Sequence, residues 1–150
     1  MSDHWICMIP RMPDYIPADE AFDEAARYLR TIAPDAEDIT CEVSTVVELH
    51  DCGANLETIR CPSCASELSV EWWADQVQGA GDHGIELRPI SLPCGHVAPS
   101  LNDLVYHFDL GFSRFKLQAM NANVGSLNPE PFKRFESILG CPLKAIYRHI

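Results

Sequence analysis

Two short cysteine-containing motifs have the residue types and the spacing needed to bind a metal ion. Cys61 and Cys64 are separated by two residues, and Cys94 is followed two residues later by His96. Thiolate sulfur and imidazole nitrogen are preferred ligands of structural zinc, and four of them complete a tetrahedron. The spacing therefore predicts one structural zinc ion held by Cys61, Cys64, Cys94 and His96.

The fourth ligand is the part of this site that the spacing leaves open. Histidines often occupy surface or core positions without binding a metal, so His96 is not the only candidate. His50 and His83 could complete the shell instead, and Cys52 is the best substitute.

A site filled by four protein ligands leaves no position for a substrate, so the zinc is expected to organise the fold. Pro62 stiffens the first turn and Gly95 permits the second, and backbone N–H groups in such turns can hydrogen-bond the thiolates. A redox role for Cys61 and Cys64 is disfavoured, because the residues that follow them read as a returning strand. No other catalytic motif is visible, and we predict that the protein is not an enzyme.

Charge is distributed unevenly along the 150 residues, whose formal net charge is −11. Residues 1–100 hold 18 acidic and 5 basic side chains, whereas residues 101–150 hold 4 acidic and 6 basic ones. The acidic part would repel nucleic acid, which makes a nucleic-acid partner unlikely on charge grounds alone. The chain has seven cysteines, no long apolar segment and no positively charged N-terminal region of the kind found in signal peptides. These features predict a cytoplasmic protein that does not enter the membrane.

The coarse pattern of apolar residues predicts two β-α-β halves. Residues 5–9 read as a buried strand, residues 19–32 as an amphipathic helix with Asp19 as N-cap, and residues 39–48 as a half-exposed strand. Residues 114–119, 128–139 and 143–150 repeat that order. We therefore predict an α+β, ferredoxin-like split β-α-β fold in one domain. Its core would comprise residues 1–50 and 112–150, with residues 51–111 as an inserted zinc-binding module.

Acidic and aromatic residues supply the candidates for partner binding. Asp19, Glu20, Asp23 and Glu24 are either the solvated face of the first helix or a docking patch for a basic protein. Trp72 and Trp73 lie on a short helix predicted to begin at Glu71. Because adjacent residues face different ways, one indole would cover the zinc loops and the other could anchor a partner.

The paired cysteine motifs resemble those of zinc ribbons and treble clefs, in which the metal organises a small binding module. More broadly, the order of five short segments is similar to that in a group of uncharacterised bacterial proteins without an assigned activity. In that group a second cysteine often directly follows the one matching Cys94, where this sequence has Gly95. The segments are Asp51-Cys52-Gly53, Cys61-Pro62-Ser63-Cys64, Leu92-Pro93-Cys94, Ser100-Leu101-Asn102-Asp103-Leu104 and Gly111-Phe112-Ser113-Arg114-Phe115.

Three functional hypotheses follow from the sequence. The first is a zinc-stabilised protein that binds a basic partner, for example an immunity protein that blocks a toxin. The second is a nucleic-acid-associated zinc ribbon. The third is an enzyme assembled from scattered residues such as Asp103, Tyr106 and His107. The second hypothesis would use the basic residues of the C-terminal part, which are Arg114, Lys116, Lys133, Arg134, Lys144 and Arg148.

Overall fold

The structure of the chain is a computed structural model that describes residues 3–51, 58–78, 84–107 and 109–149. The fold is α+β, as predicted, with antiparallel strand pairs and three α-helices in these ranges. The elements are β1 (His4–Pro10), α1 (Asp19–Ile32), β2 (Asp38–Asp51), β3 (Ile59–Arg60), β4 (Glu67–Leu68), α2 (Val70–Gln78), β5 (Ile90–Ser91), β6 (Val97–Ala98), β7 (Val105–Tyr106), β8 (Leu110–Met120), α3 (Pro129–Leu139) and β9 (Leu143–His149).

The main sheet has the strand order β2-β8-β1-β9, so β1 and β8 are its central strands. The apolar run in β1 fits this position, because both faces of a central strand are covered. Helices α1 and α3 pack together on one face of the sheet. The ring of Phe22 stacks on Phe115 with centroids 5.1 Å apart, and Tyr28 meets Phe135 edge-on at 4.9 Å.

The two long strands β2 and β8 connect the main sheet to the region that carries Cys61, Cys64, Cys94 and His96. They pair along most of their lengths, but the register shifts between Val43 and Glu48. Beyond this shift, Val47 and Leu49 of β2, with Leu110 and Phe112 of β8, belong to a second hydrophobic core. That core also contains side chains from β3, β4 and α2. The cysteine-containing loops are therefore held on the sheet through side chains of two shared strands.

The ends of the helices depart from the predictions at two points, one of which is that α2 begins at Val70, one residue before the predicted Glu71. Asn128 caps α3 and Pro129 occupies its first turn, and Gly140 ends it with φ of 77°. The predicted N-cap Asp19 of α1 is wrong, because Ala18 is the residue with extended backbone before the helix. Asp19 lies within the first turn, where its carboxylate interacts favourably with the helix dipole.

Candidate metal centre

The first cysteine pair lies in the tight turn that joins β3 to β4. The N–H of Cys61 donates to the carbonyl of Ser66 at 3.0 Å, and the N–H of Ala65 donates back to the Cys61 carbonyl at 2.9 Å. Ala65 adopts a left-handed backbone with φ of 60°, and the Arg60 guanidinium donates to its carbonyl at 3.0 Å. The turn thus fixes Cys61 and Cys64 on one side of a short hairpin.

The second pair lies in the turn between β5 and β6. The N–H of Leu92 donates to the His96 carbonyl at 2.8 Å, and the N–H of Gly95 donates to the Leu92 carbonyl at 2.9 Å. Gly95 has φ of 96°, a left-handed conformation that glycine adopts without strain. A glycine between Cys94 and His96 therefore allows both side chains to point to one side of the turn.

The two turns bring the four predicted ligands together. The sulfur atoms of Cys61, Cys64 and Cys94 and a ring nitrogen of His96 all lie within 4.8 Å of one another. Cys61 is 1% exposed and forms part of the second core, whereas Cys64 and His96 lie at the surface. The cluster could hold one metal ion, with Cys61 on the side of the protein core and Cys64 and His96 on the side of the solvent.

Neighbouring polar groups stabilise thiolate charge at this site. The N–H of Ser63 donates to the Cys61 sulfur at 3.3 Å. The Ser66 hydroxyl lies 3.1 Å from the Cys64 sulfur, and its hydrogen bond to the thiolate lowers the pKa of Cys64 to about 6. Ser66 was not identified from the sequence, although a hydroxyl two residues after the second cysteine was a readable signal.

Cys94 experiences two opposing influences. The backbone N–H of His96 favours the thiolate, but burial and the neighbouring sulfurs of Cys61 and Cys64 outweigh it, so the pKa of Cys94 is raised. Negative sulfurs held this close repel one another, and a cation placed among them would remove that repulsion. The cluster is therefore chemically suited to a positively charged ion.

The other described cysteines behave as ordinary core thiols. Burial raises the pKa of Cys7, of Cys41 and of Cys141 to about 11 in each case. His50 lies on β2 opposite Gly111, outside the metal cluster. The substitute ligand Cys52 and the alternative His83 lie outside the described residues.

The two tryptophans have different environments. Trp73 is 3% exposed, and its indole N–H donates to the Tyr106 hydroxyl at 3.0 Å, while that hydroxyl donates to the Leu101 carbonyl at 2.6 Å. Trp73 is therefore the buried one of the two indoles, and its hydrogen bond joins α2 to β7. Trp72 is half-buried against the same core and retains an accessible part.

The acidic candidates lie on one exposed stretch of α1. Asp19, Glu20, Asp23 and Glu24 are all exposed, while Ala25 and Leu29 of the same helix are buried. None of the four acids forms an ion pair within the described ranges. The nearest basic group with a hydrogen bond to this stretch is the Arg27 guanidinium, which donates to the backbone carbonyl of Asp23 at 3.3 Å and not to a carboxylate.

The residues named for the nucleic-acid hypothesis and for the enzyme hypothesis lie on other elements than α1. Of the six basic residues, four lie on the main-sheet strands β8 and β9 and two lie on α3. Lys116 is paired with Glu42 at 3.2 Å, and the Arg134 guanidinium lies over the Tyr28 ring. The Asp103 carboxylate accepts the Ser100 hydroxyl at 2.7 Å, and the Tyr106 hydroxyl contributes to the buried network described above. These contacts give the named side chains structural roles.

Comparison of the sequence and structure with models of known protein families, with curated proteins and with solved structures gave no match. Among the described residues, no helix has the length and apolar character needed to cross a membrane. Conclusions about function therefore depend on the chemistry of the chain itself.

Proposed function

We propose that this protein is a non-enzymatic, zinc-stabilised module that binds a basic partner protein through an acidic surface. The observation that carries this proposal is the convergence of three cysteines and one histidine within 4.8 Å. A scaffold whose metal is enclosed by four protein ligands is suited to binding rather than to metal catalysis.

Zinc is the ion that best fits this donor set. Three thiolates and one imidazole form a common structural zinc shell, whereas calcium and magnesium prefer oxygen ligands. The strands on either side of the ligands are only two residues long, which is too short to be stable without further support. Zinc bound across β3–β4 and β5–β6 would supply that support, because metal binding contributes directly to folding free energy.

We interpret the architecture as a ferredoxin-like fold with an inserted zinc-ribbon or treble-clef-like module. The antiparallel order β2-β8-β1-β9, with the first and third long strands in the centre, supports the first part. The two cysteine-bearing hairpins between β2 and β8 support the second. The module would then occupy residues 51–111 of a single domain.

The partner-binding surface would combine the acids of α1 with Trp72. The exposed and unpaired carboxylates of Asp19, Glu20, Asp23 and Glu24 would accelerate encounter with a positively charged protein. The accessible part of Trp72 would supply apolar contact area. A basic toxin neutralised by this protein is our specific hypothesis for the partner.

The test begins with gentle purification of the tagged protein from its native cells. A basic protein that copurifies in stoichiometric amount would then be identified. Binding of that purified protein would then be measured for the variant Asp23→Lys/Glu24→Lys. Glu67→Lys/Glu86→Lys is the matched control, because both residues are exposed and the net charge changes equally. We expect at least tenfold weaker binding for the α1 variant alone. Equal affinities for the two variants would contradict the proposed surface.

A further inference from the structure

A second candidate site lies at the end of the main sheet where β1 begins and β8 ends. A cavity of about 650 Å³ opens there, within the range of volumes that hold small ligands or single side chains. Its walls include the aromatic residues Trp5 and Tyr147 and the acidic residues Asp35 and Glu37. The cavity is therefore partly aromatic and partly anionic.

One asparagine holds the Glu37 carboxylate of this cavity in place. The side-chain amide of Asn121 donates to the Asp3 carboxylate at 3.1 Å and also to the carboxylate of Glu37. Its oxygen accepts the backbone N–H of His4 at 2.9 Å. Asn121 has φ of 51°, a left-handed conformation that asparagine tolerates better than most residues. Two carboxylates are thus fixed on a single amide group.

The carboxylates of this cavity form no ion pair in the described part of the chain, although the Arg30 guanidinium donates to the carbonyl of Ala36, between them in sequence, at 2.7 Å. No lysine or arginine is among its lining residues, and neither Asp35 nor Glu37 takes part in an ion pair there. Anionic groups beside aromatic rings attract an organic cation, because the ring faces add to the attraction of the carboxylates.

The arrangement favours an elongated cation over a metal ion. Among the described residues, the cysteine and histidine cluster is the one group whose ligand atoms converge closely enough to hold a metal. The carboxylates of the cavity do not form a second such group. A planar guanidinium can contact a carboxylate with two N–H groups and stack on an aromatic ring.

From these observations we infer that the cavity accepts an arginine side chain of the basic partner, stacked against Trp5 and bonded to Glu37. This inference rests on the proposed function and adds a second contact point to it. Asp35 and Glu37 follow the C-terminal end of α1, whereas the acids from Asp19 to Glu24 lie in its first half. The helix has 14 residues and spans about 21 Å, so the partner would be held at two separated positions.

The test uses N-acetyl-arginine methylamide as the probe and the citrulline analogue as its neutral, nearly isosteric control. Both would be titrated into ¹⁵N-labelled protein, and the Trp5 indole N–H signal, assigned with Trp5→Phe, would be followed. We expect saturable shifts with the arginine probe and none with the citrulline probe. Equal shifts with both probes, or no shift of the Trp5 signal, would overturn the inference.

Variants of Asp35 and Glu37 test whether their carboxylates contribute to binding of the arginine probe. Asp35→Asn/Glu37→Gln should bind the arginine probe about tenfold more weakly, since the charged contact with Glu37 and the nearby charge of Asp35 are both lost. Glu67→Gln, at an exposed position outside both proposed surfaces, should bind it like the wild-type protein. Wild-type affinity in the double variant would overturn the inference. The α1 charge reversals leave this cavity unchanged, so a failure of the α1 surface and a failure of the cavity can be distinguished.

Discussion

The sulfur of Cys94 lies 3.6 Å from Nδ1 of His96. An ideal tetrahedron with zinc–sulfur bonds of about 2.3 Å and a zinc–nitrogen bond of about 2.05 Å has a sulfur-to-nitrogen edge of about 3.6 Å. The agreement indicates that the turn around Gly95 already spaces this pair for a shared metal ion. Nδ1 is therefore the ring nitrogen that lies near the Cys94 sulfur.

Replacement of His96 by cysteine should preserve the metal site and change its spectrum. Cobalt(II) can report on the ligand set, because a fourth thiolate shifts the visible bands to longer wavelength and strengthens the sulfur-to-metal charge-transfer band. We expect this shift for His96→Cys, and metal affinity at least tenfold weaker for His96→Ala, since one ligand is lost. His107→Ala is the control and should have the wild-type spectrum.

The same spectra identify the fourth ligand if it is another residue. A wild-type spectrum and affinity in His96→Ala would show that His96 does not bind the metal. Cys52→Ser would then be expected to lose the metal, whereas it should keep the wild-type spectrum if His96 is the ligand.

Replacement of Trp73 by phenylalanine should destabilise the fold more than the same replacement of Trp72. Trp73→Phe removes buried volume and the hydrogen bond to Tyr106, at a cost of about 2–3 kcal/mol. Trp72→Phe removes part of a half-buried ring and should cost less than about 1 kcal/mol. Urea unfolding of both variants measures the difference, and equal losses would argue against the central position of Trp73.

His50 should make stability depend on pH in an acidic window. Burial lowers the pKa of His50 to about 4, with Lys116 and Arg148 contributing, although its contact with the Ser113 backbone and the charge of Asp51 oppose the shift. In the unfolded chain the pKa of histidine is about 6.5, so the unfolded state takes up the proton first as pH falls. The stabilisation from the neutral ring is therefore complete above pH 6.5 and is lost between pH 6.5 and 4.

This pH dependence can be measured by comparison with a variant. The full shift corresponds to at most about 3.5 kcal/mol, because each pKa unit represents about 1.4 kcal/mol. His50→Gln should show a smaller loss of unfolding free energy between pH 7 and pH 4.5 than the wild-type protein. Identical pH profiles for the two proteins would contradict the assigned environment of His50.

Local patterns predicted most elements of the fold because the information is contained in neighbouring residues. In β2, Val46 interrupts the alternation of apolar and polar residues and lies within the register shift. The N-cap of α1 was misplaced because Asp19 is a good capping residue by type, whereas the backbone of Ala18 makes the turn into the helix. Capping preference alone does not specify which of two adjacent residues has extended geometry.

Sites built from distant residues were less accessible to sequence reasoning. The cluster of three cysteines and one histidine was predicted because each pair is local and has a recognisable spacing. The cavity beside β1 combines Trp5, Glu37, Asn121 and Tyr147, which are far apart in sequence and share no motif. The burial of Trp73 likewise depends on its partner Tyr106, which is 33 residues away.

The most direct test of the central claim is the native mass spectrum of the purified protein. We expect one zinc ion per chain in the wild-type protein and in Cys141→Ser, whose buried thiol lies outside the cluster. Cys64→Ser should lack the zinc, because it loses a ligand while its exposed position leaves the core packing unchanged. Wild-type protein without a metal ion, or one zinc retained in full by Cys64→Ser, would contradict the account.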